Sequence, residues 1–212
     1  MRAEEQEPLP QVASEAILVL DIVDSTWTSN TFGWHAVGRR VMRDLRAIIS
    51  RVASLRGMQC RKSTGDGYLL TFGDSSSAET AAIYALESAF AILAELETRN
   101  RAVPKEHAIH LRFAVHFGEV DIVEGDREGP NVSYTFRMEG VSRSSIEQAL
   151  NHADPESLPS HDYVLCSEEV AGILGRRTHL WDFFSLGLFK FKGFTGHREV
   201  CRVLPRGAGL YE

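Results

Sequence analysis

No stretch of this chain is apolar for the roughly 18 residues a membrane-spanning helix needs, and the opening MRAEEQEPLPQ is acidic and polar, unlike a secretory leader. These two absences predict a cytoplasmic protein. Cysteine is scarce: Cys60, Cys166 and Cys201 are odd in number and lack any CxxC spacing, which excludes a disulfide framework and a cysteine zinc site and fits a reducing compartment. Basic charge is also short, with a formal net charge of -6 and no Lys/Arg-rich stripe, so a binder that works by neutralising nucleic-acid phosphates is excluded. Internal repeats and low-complexity tracts are missing too. What remains is a chain of 212 residues with ordinary hydrophobic content, long enough to close one core without staples.

The pattern predicts residues 1–14 as a flexible tail, one domain over 15–204 and a second tail over 205–212. Within the domain, Ala16 to Leu20 is a short continuous apolar run of the kind expected for a buried central strand, and it ends at Asp21. Residues 34–55 carry apolar positions in steps of three and four, an amphipathic helix closed by Gly57. CRKSTGDG at 60–67 reads as a hairpin turn leading into a half-buried strand over 68–72. A second helix is expected over 78–98 with serines as caps, and an alternating strand over 109–116 that continues through 118–120. A helix over 131–150, a strand over 163–166 and a closing hairpin of 189–193 with 200–203 complete the reading. Strand, helix, two strands, helix, strand is the α+β, ferredoxin-like βαββαβ order, here with C-terminal additions.

Asp21 and Asp66 each end a strand at a turn. Each could simply cap local backbone, but two carboxylates at adjacent strand tips can also share a divalent cation with a carbonyl and phosphate oxygens. His110 and His116 alternate with an apolar face and read as exposed or core histidines, and Trp27, Trp34 and Trp181 as packing or dimer-contact residues.

LVLDIVDST, RKSTGDGYLLTF, LRFAVHFGEV, GDREGPNVSYTFRMEG and FKFKGF, in that order, resemble the class III nucleotidyl cyclase catalytic domain. The resemblance implies a head-to-tail homodimer with active sites at the interface, turning a nucleoside triphosphate into a 3′,5′-cyclic nucleotide and pyrophosphate. It implies that Asp21, Asp66 and the Ile22 carbonyl hold two Mg2+ or Mn2+ ions. It further implies that Arg137 stabilises charge on the α-phosphate, that Lys192 binds the terminal phosphates, and that Lys62 and Asp126 contact the base from the subunit opposite the metal aspartates.

The sequence departs from the family where VNxAAR is expected. VSYTFR puts Ser133 at the ribose-orienting asparagine, and Thr135 and Phe136 at two small residues. One reading is a drifted, weak or silent cyclase-like module. The favoured reading is a pocket reshaped for a pyrimidine, because Asp21, Asp66, Arg137 and Lys192 all remain. The absence of a fused sensor in the sequence resembles the stand-alone cyclases of Pycsar antiphage systems, which implies cyclic UMP, ahead of cyclic CMP, acting on a separate effector. Lys62 and Asp126 suit adenine equally, so an ordinary adenylate cyclase stays open. Palm-fold diguanylate chemistry is disfavoured by STGDG in place of a GGDEF signature.

Overall fold

The computed structural model describes residues 11–24, 38–73, 77–148, 150–175 and 179–207. Its centre is β1, Gln11–Ile22, which begins inside the stretch read from sequence as an N-terminal tail. Helix α1, Arg39–Ala53, follows and passes through a 3-10 turn, Ser54–Arg56, to Gly57 at φ 69°. The start of the helix expected from residue 34, together with Trp27 and Trp34, lies outside the described residues. Leu55, expected on the buried stripe, is 82% exposed because the 3-10 turn rotates it off the α-helical face.

Strands β2, Met58–Ser63, and β3, Gly67–Phe72, form the hairpin. Helix α2, Ala78–Arg101, starts at Ser77, whose hydroxyl accepts from the Thr80 backbone N–H and satisfies one orphan donor of the first turn. Strand β4, Leu111–Val123, turns into the short β5, Asp126–Glu128. Sheet order β2-β3-β1-β4, antiparallel throughout, is the ferredoxin-like core expected from the sequence.

The C-terminal additions widen that sheet. After helix α3, Pro130–Glu139, come β6, Ile146–Gln148, β7, Tyr163–Ser167, helix α4, Glu168–Leu174, β8, Trp181–Phe189, and β9, Arg198–Pro205. They extend the order past β4 as β7-β9-β8-β6, with β7 parallel to β4.

Two expectations need correction here. The helix predicted over 131–150 ends at Glu139, because Gly140 and a Ser142/Ser145 capping box start a separate 3-10 turn that leads into β6. The closing hairpin is longer than predicted and shifted: 189–193 holds only the last residue of β8 and then a turn, and the strand that pairs with β9 begins at Trp181, a buried packing residue.

Strand alternation divides the core. Leu18, Leu20, Leu70, Phe72, Phe113 and Val115 face α1 and α2. Ile17, Val19 and Leu69 point to the other face, where Val132 and Phe136 of α3 cover them. That double cover is why β3 is buried along its whole length instead of half-buried as expected from the sequence.

Candidate active site

Register builds the carboxylate pair. Asp21 is the eleventh residue of β1 and lies opposite Gly67 on one side and Arg112 on the other. Gly65 and Asp66 form a two-residue loop closed by the Thr64 N–H on the Gly67 carbonyl at 3.0 Å, with Gly65 at φ 110°. A Cβ on residue 67 would fall 2.1 Å from the Leu20 carbonyl oxygen, so only glycine lets the turn sit against β1. This close approach brings the Asp66 carboxylate to Asp21. Burial, and then the neighbouring Asp66 charge, raise Asp21 above the ordinary carboxylate range, against the pull of Arg112.

Arg112 Nη2 donates to Asp21 Oδ2 at 3.0 Å, and its Nε lies 2.9 Å from Glu139 Oε1, an ion pair whose angle is not that of a hydrogen bond. Glu139, on the last turn of α3, is pushed up to about 7 by burial, with Arg112 opposing and the Asp21 and Asp66 charges adding. Sequence reading missed both residues. The available signal was the antiparallel register of β1 against β4, which puts the wet-face Arg112 beside Asp21.

Lys62 on β2 and Asp126 on β5, 64 positions apart, form an ion pair through Nζ and Oδ2. The contact with Asp126 raises Lys62 above its ordinary value. Asp126 is held below the ordinary range despite partial burial, chiefly by Lys62 and by the Arg127 backbone N–H at 2.8 Å. Arg127 anchors this strand through a buried two-point pair with Glu15, at 2.7 and 2.8 Å.

Ser133 and Arg137 are exposed one turn apart on α3. The Arg137 guanidinium lies 5.2 Å over the Phe194 ring, and a Cβ on Gly193 would come within 3.3 Å of its Nη1. Phe191 to Phe194 is a tight turn, with the Phe194 N–H on the Phe191 carbonyl at 3.1 Å and Gly193 at φ 82°, so exposed Lys192 stands at its tip beside Arg137. Thr135 is accommodated by donating its hydroxyl to the Asn131 carbonyl at 2.8 Å. His116 is a core histidine, contacting Ser167 Oγ at 2.9 Å and Asn131 Oδ1 at 3.1 Å.

The predicted residues thus assemble in three sets. Asp21 and Asp66 meet at the end of β1, beside Ile22; Lys62 meets Asp126; Ser133 and Arg137 share a face next to Lys192. Two carboxylates with an adjacent main-chain carbonyl are hard oxygen donors of the kind Mg2+ and Mn2+ prefer.

No family model matches the chain. Among curated proteins, the putative adenylate cyclase 3 of Rhizobium meliloti (strain 1021) is 33% identical over 81 residues, which is 38% of this chain and 13% of that protein. Among solved structures, an adenylate/guanylate cyclase/hydrolase from Silicibacter pomeroyi matches with a TM-score of 0.68 at 24% identity, over 92% of this chain and 98% of that one. The adenylyl cyclase CyaB from P. aeruginosa gives 0.70 at 17% identity, covering 92% and 95%. The guanylyl cyclase Cya2 gives 0.71 at 18% identity, covering 94% and 96%. The chain therefore has the class III cyclase catalytic-domain fold.

Proposed function

We propose that this chain is a metal-dependent nucleotidyl cyclase that converts a nucleoside triphosphate to its 3′,5′-cyclic monophosphate and pyrophosphate. The observation that carries this reading is the Asp21–Asp66 pair, two carboxylates that the close approach of the Gly67 turn to β1 brings together and whose repulsion a shared divalent cation would relieve. Asp21, Asp66 and the Ile22 carbonyl would hold two Mg2+ or Mn2+ ions. Such ions supply acidification of the ribose 3′-hydroxyl and neutralisation of the departing pyrophosphate.

The protein side chains would do the rest. Arg137, a planar two-point donor, would stabilise charge gathering on the α-phosphate, and Lys192 would bind the terminal phosphates as a point charge. Ser133 would orient the ribose, and Lys62 with Asp126 would read the base edge.

A homodimer is supported by the geometry of α3. Glu139 faces Arg112 and the metal end of its own chain. Arg137, two residues earlier and so about 200° around the helix, faces away toward Phe194. A second copy in head-to-tail arrangement would bring Arg137 and the Lys62–Asp126 pair to the other chain's aspartates.

A pyrimidine substrate, UTP ahead of CTP, is supported by the shortened Ser133 and by Phe136, whose ring packs on the Ile17/Val19/Leu69 face as part of an ordered α3. The product would serve antiphage defence in the cytoplasm through a separate effector. The adenylate reading is favoured by the Lys62–Asp126 pair, which matches a ring nitrogen and an exocyclic amine.

The test is incubation of the protein with Mn2+ and each of ATP, GTP, CTP and UTP separately, with products identified by mass. Cyclic UMP and pyrophosphate, absent with Asp66→Ala, are the expected result. Cyclic AMP would assign the adenylate reading, and no product from any substrate would leave a silent binding module.

A further inference from the structure

A second cluster of metal-ligating groups lies outside this site. His110, immediately before β4, and His161 and Asp162, immediately before β7, place two imidazole nitrogens and a carboxylate oxygen within 4.8 Å of one another. Both His110 Nδ1, at 2.6 Å, and His161 Nδ1, at 2.9 Å, point at the same atom, Asp162 Oδ2. The two rings lie 3.9 Å apart, tilted by 40°.

The backbone presents this carboxylate on purpose-built geometry. Asp162 takes a left-handed φ of 57°, its N–H donates to the Leu111 carbonyl at 2.7 Å, and its other oxygen, Oδ1, accepts from the Leu111 N–H at 2.9 Å. One oxygen is thereby fixed as an acceptor and the other is turned to the histidines, the arrangement by which neighbouring hydrogen bonds orient metal-binding carboxylates. A tetrahedral site with ligand distances of about 2.0–2.1 Å has donor atoms about 3.3 Å apart. The observed 2.6 and 2.9 Å separations reach that by moving apart less than 1 Å, which these side chains, 35–43% exposed, can do.

We infer that His110, His161 and Asp162 form a binding site for a borderline transition-metal ion of the zinc class, clamping the start of β4 to the start of β7. Two nitrogens and one oxygen leave a fourth position open. His110 and Asp162 also line a groove of about 700 Å³ together with Leu93, Leu96, Glu97 and Asn100, from which water can complete the shell. The nitrogen donors set this site apart from the all-oxygen Asp21–Asp66 pair, because imidazole favours zinc, nickel and cobalt over magnesium. This inference does not depend on the proposed reaction.

Equilibrium dialysis of the full chain against Zn2+ in excess Mg2+ tests it, with Co2+ as a spectroscopic probe. Wild type and Asp66→Asn are expected to retain one Zn2+ per chain and to give the intense visible bands of tetrahedral Co2+. His161→Gln and Asp162→Asn should weaken binding at least tenfold, with circular dichroism checking that both stay folded. Zinc retained equally by His161→Gln and wild type would overturn the site and leave a hydrogen-bonded cluster only. Loss of zinc in Asp66→Asn would also overturn it, by assigning the ion to the acidic pair.

Discussion

Arg112 stands between two carboxylates, its Nη2 3.0 Å from Asp21 Oδ2 and its Nε 2.9 Å from Glu139 Oε1. It ties the end of α3 to the strand that carries the proposed metal ligand, while competing with a cation for Asp21. Arg112→Met should therefore leave Glu139, only 8% exposed, without its counter-charge. A stability loss of about 2 kcal/mol is expected, below the full cost for a deeply buried pair because the arginine side chain is 30% exposed. Turnover should fall about 100-fold through displacement of α3, and the apparent metal affinity should change with it. Chemical denaturation and Mn2+ titration of activity check the two effects separately.

Gly67 and Gly172 make a matched pair of tests. Alanine at 67 would place its Cβ 2.1 Å from the Leu20 carbonyl oxygen and push the turn off β1, costing about 2 kcal/mol and separating Asp66 from Asp21. Gly172 lies within α4 and meets nothing within 4 Å, so Gly172→Ala should stabilise by about 0.5–1 kcal/mol through helix propensity and leave activity unchanged. Urea midpoints compare them directly, and equal midpoints for both would contradict the register argument.

Local patterns made the core legible. The apolar run into Asp21 read as a central strand because it is buried on both faces, and the steps of three and four that fall within α1 and α2 read as helices because each helix packs one apolar stripe on the sheet. Partners far apart in sequence were not legible. Asp21 and Arg112 are 91 positions apart, and the polar alternation of LRFAVH shows a wet face without saying which carboxylate it meets. Glu139 drew no notice inside the helix expected over 131–150, yet Gly140 ends α3 there and Arg112 pairs with the side chain inside. Residues 189–193 read as one arm of a closing hairpin because Phe-Lys alternation mimics period two, whereas Gly193 at φ 82° makes the segment after Phe189 a turn.

The Lys62–Asp126 pair should govern which triphosphate is used more than how fast it reacts. Lys62→Ala and Asp126→Ala are expected to lower kcat/KM for the preferred base about tenfold to 100-fold, with much smaller changes for the others. The double variant should lose less than the sum of the singles, because the partners touch. Arg127→Met serves as the structural comparison. It strands the buried Glu15 charge, for about 3 kcal/mol of lost stability, and should reduce activity on all four triphosphates together.

Glu169 at the start of α4 sets a limit on acid stability. Burial works against its charge, but the His116 imidazole, with Nδ1 3.6 Å from Oε2, the Ser167 hydroxyl and its own backbone N–H outweigh that and hold it down to about 2. A carboxyl whose folded pKa is depressed stabilises the fold above its unfolded value, near 4.3, and loses that contribution as pH falls toward the folded value. Wild-type stability should accordingly drop between about pH 4.3 and pH 2 in proportion to the protons Glu169 takes up on unfolding. Glu169→Gln removes the ionisation, so its denaturation midpoint should start lower at pH 7 and fall less steeply across that window. Because the side chain is 37% exposed, solvent and salt screen part of the effect, and the difference between the two profiles should shrink as ionic strength rises. Parallel profiles for the two proteins across that window would mean that Glu169 titrates alike in the folded and unfolded chains.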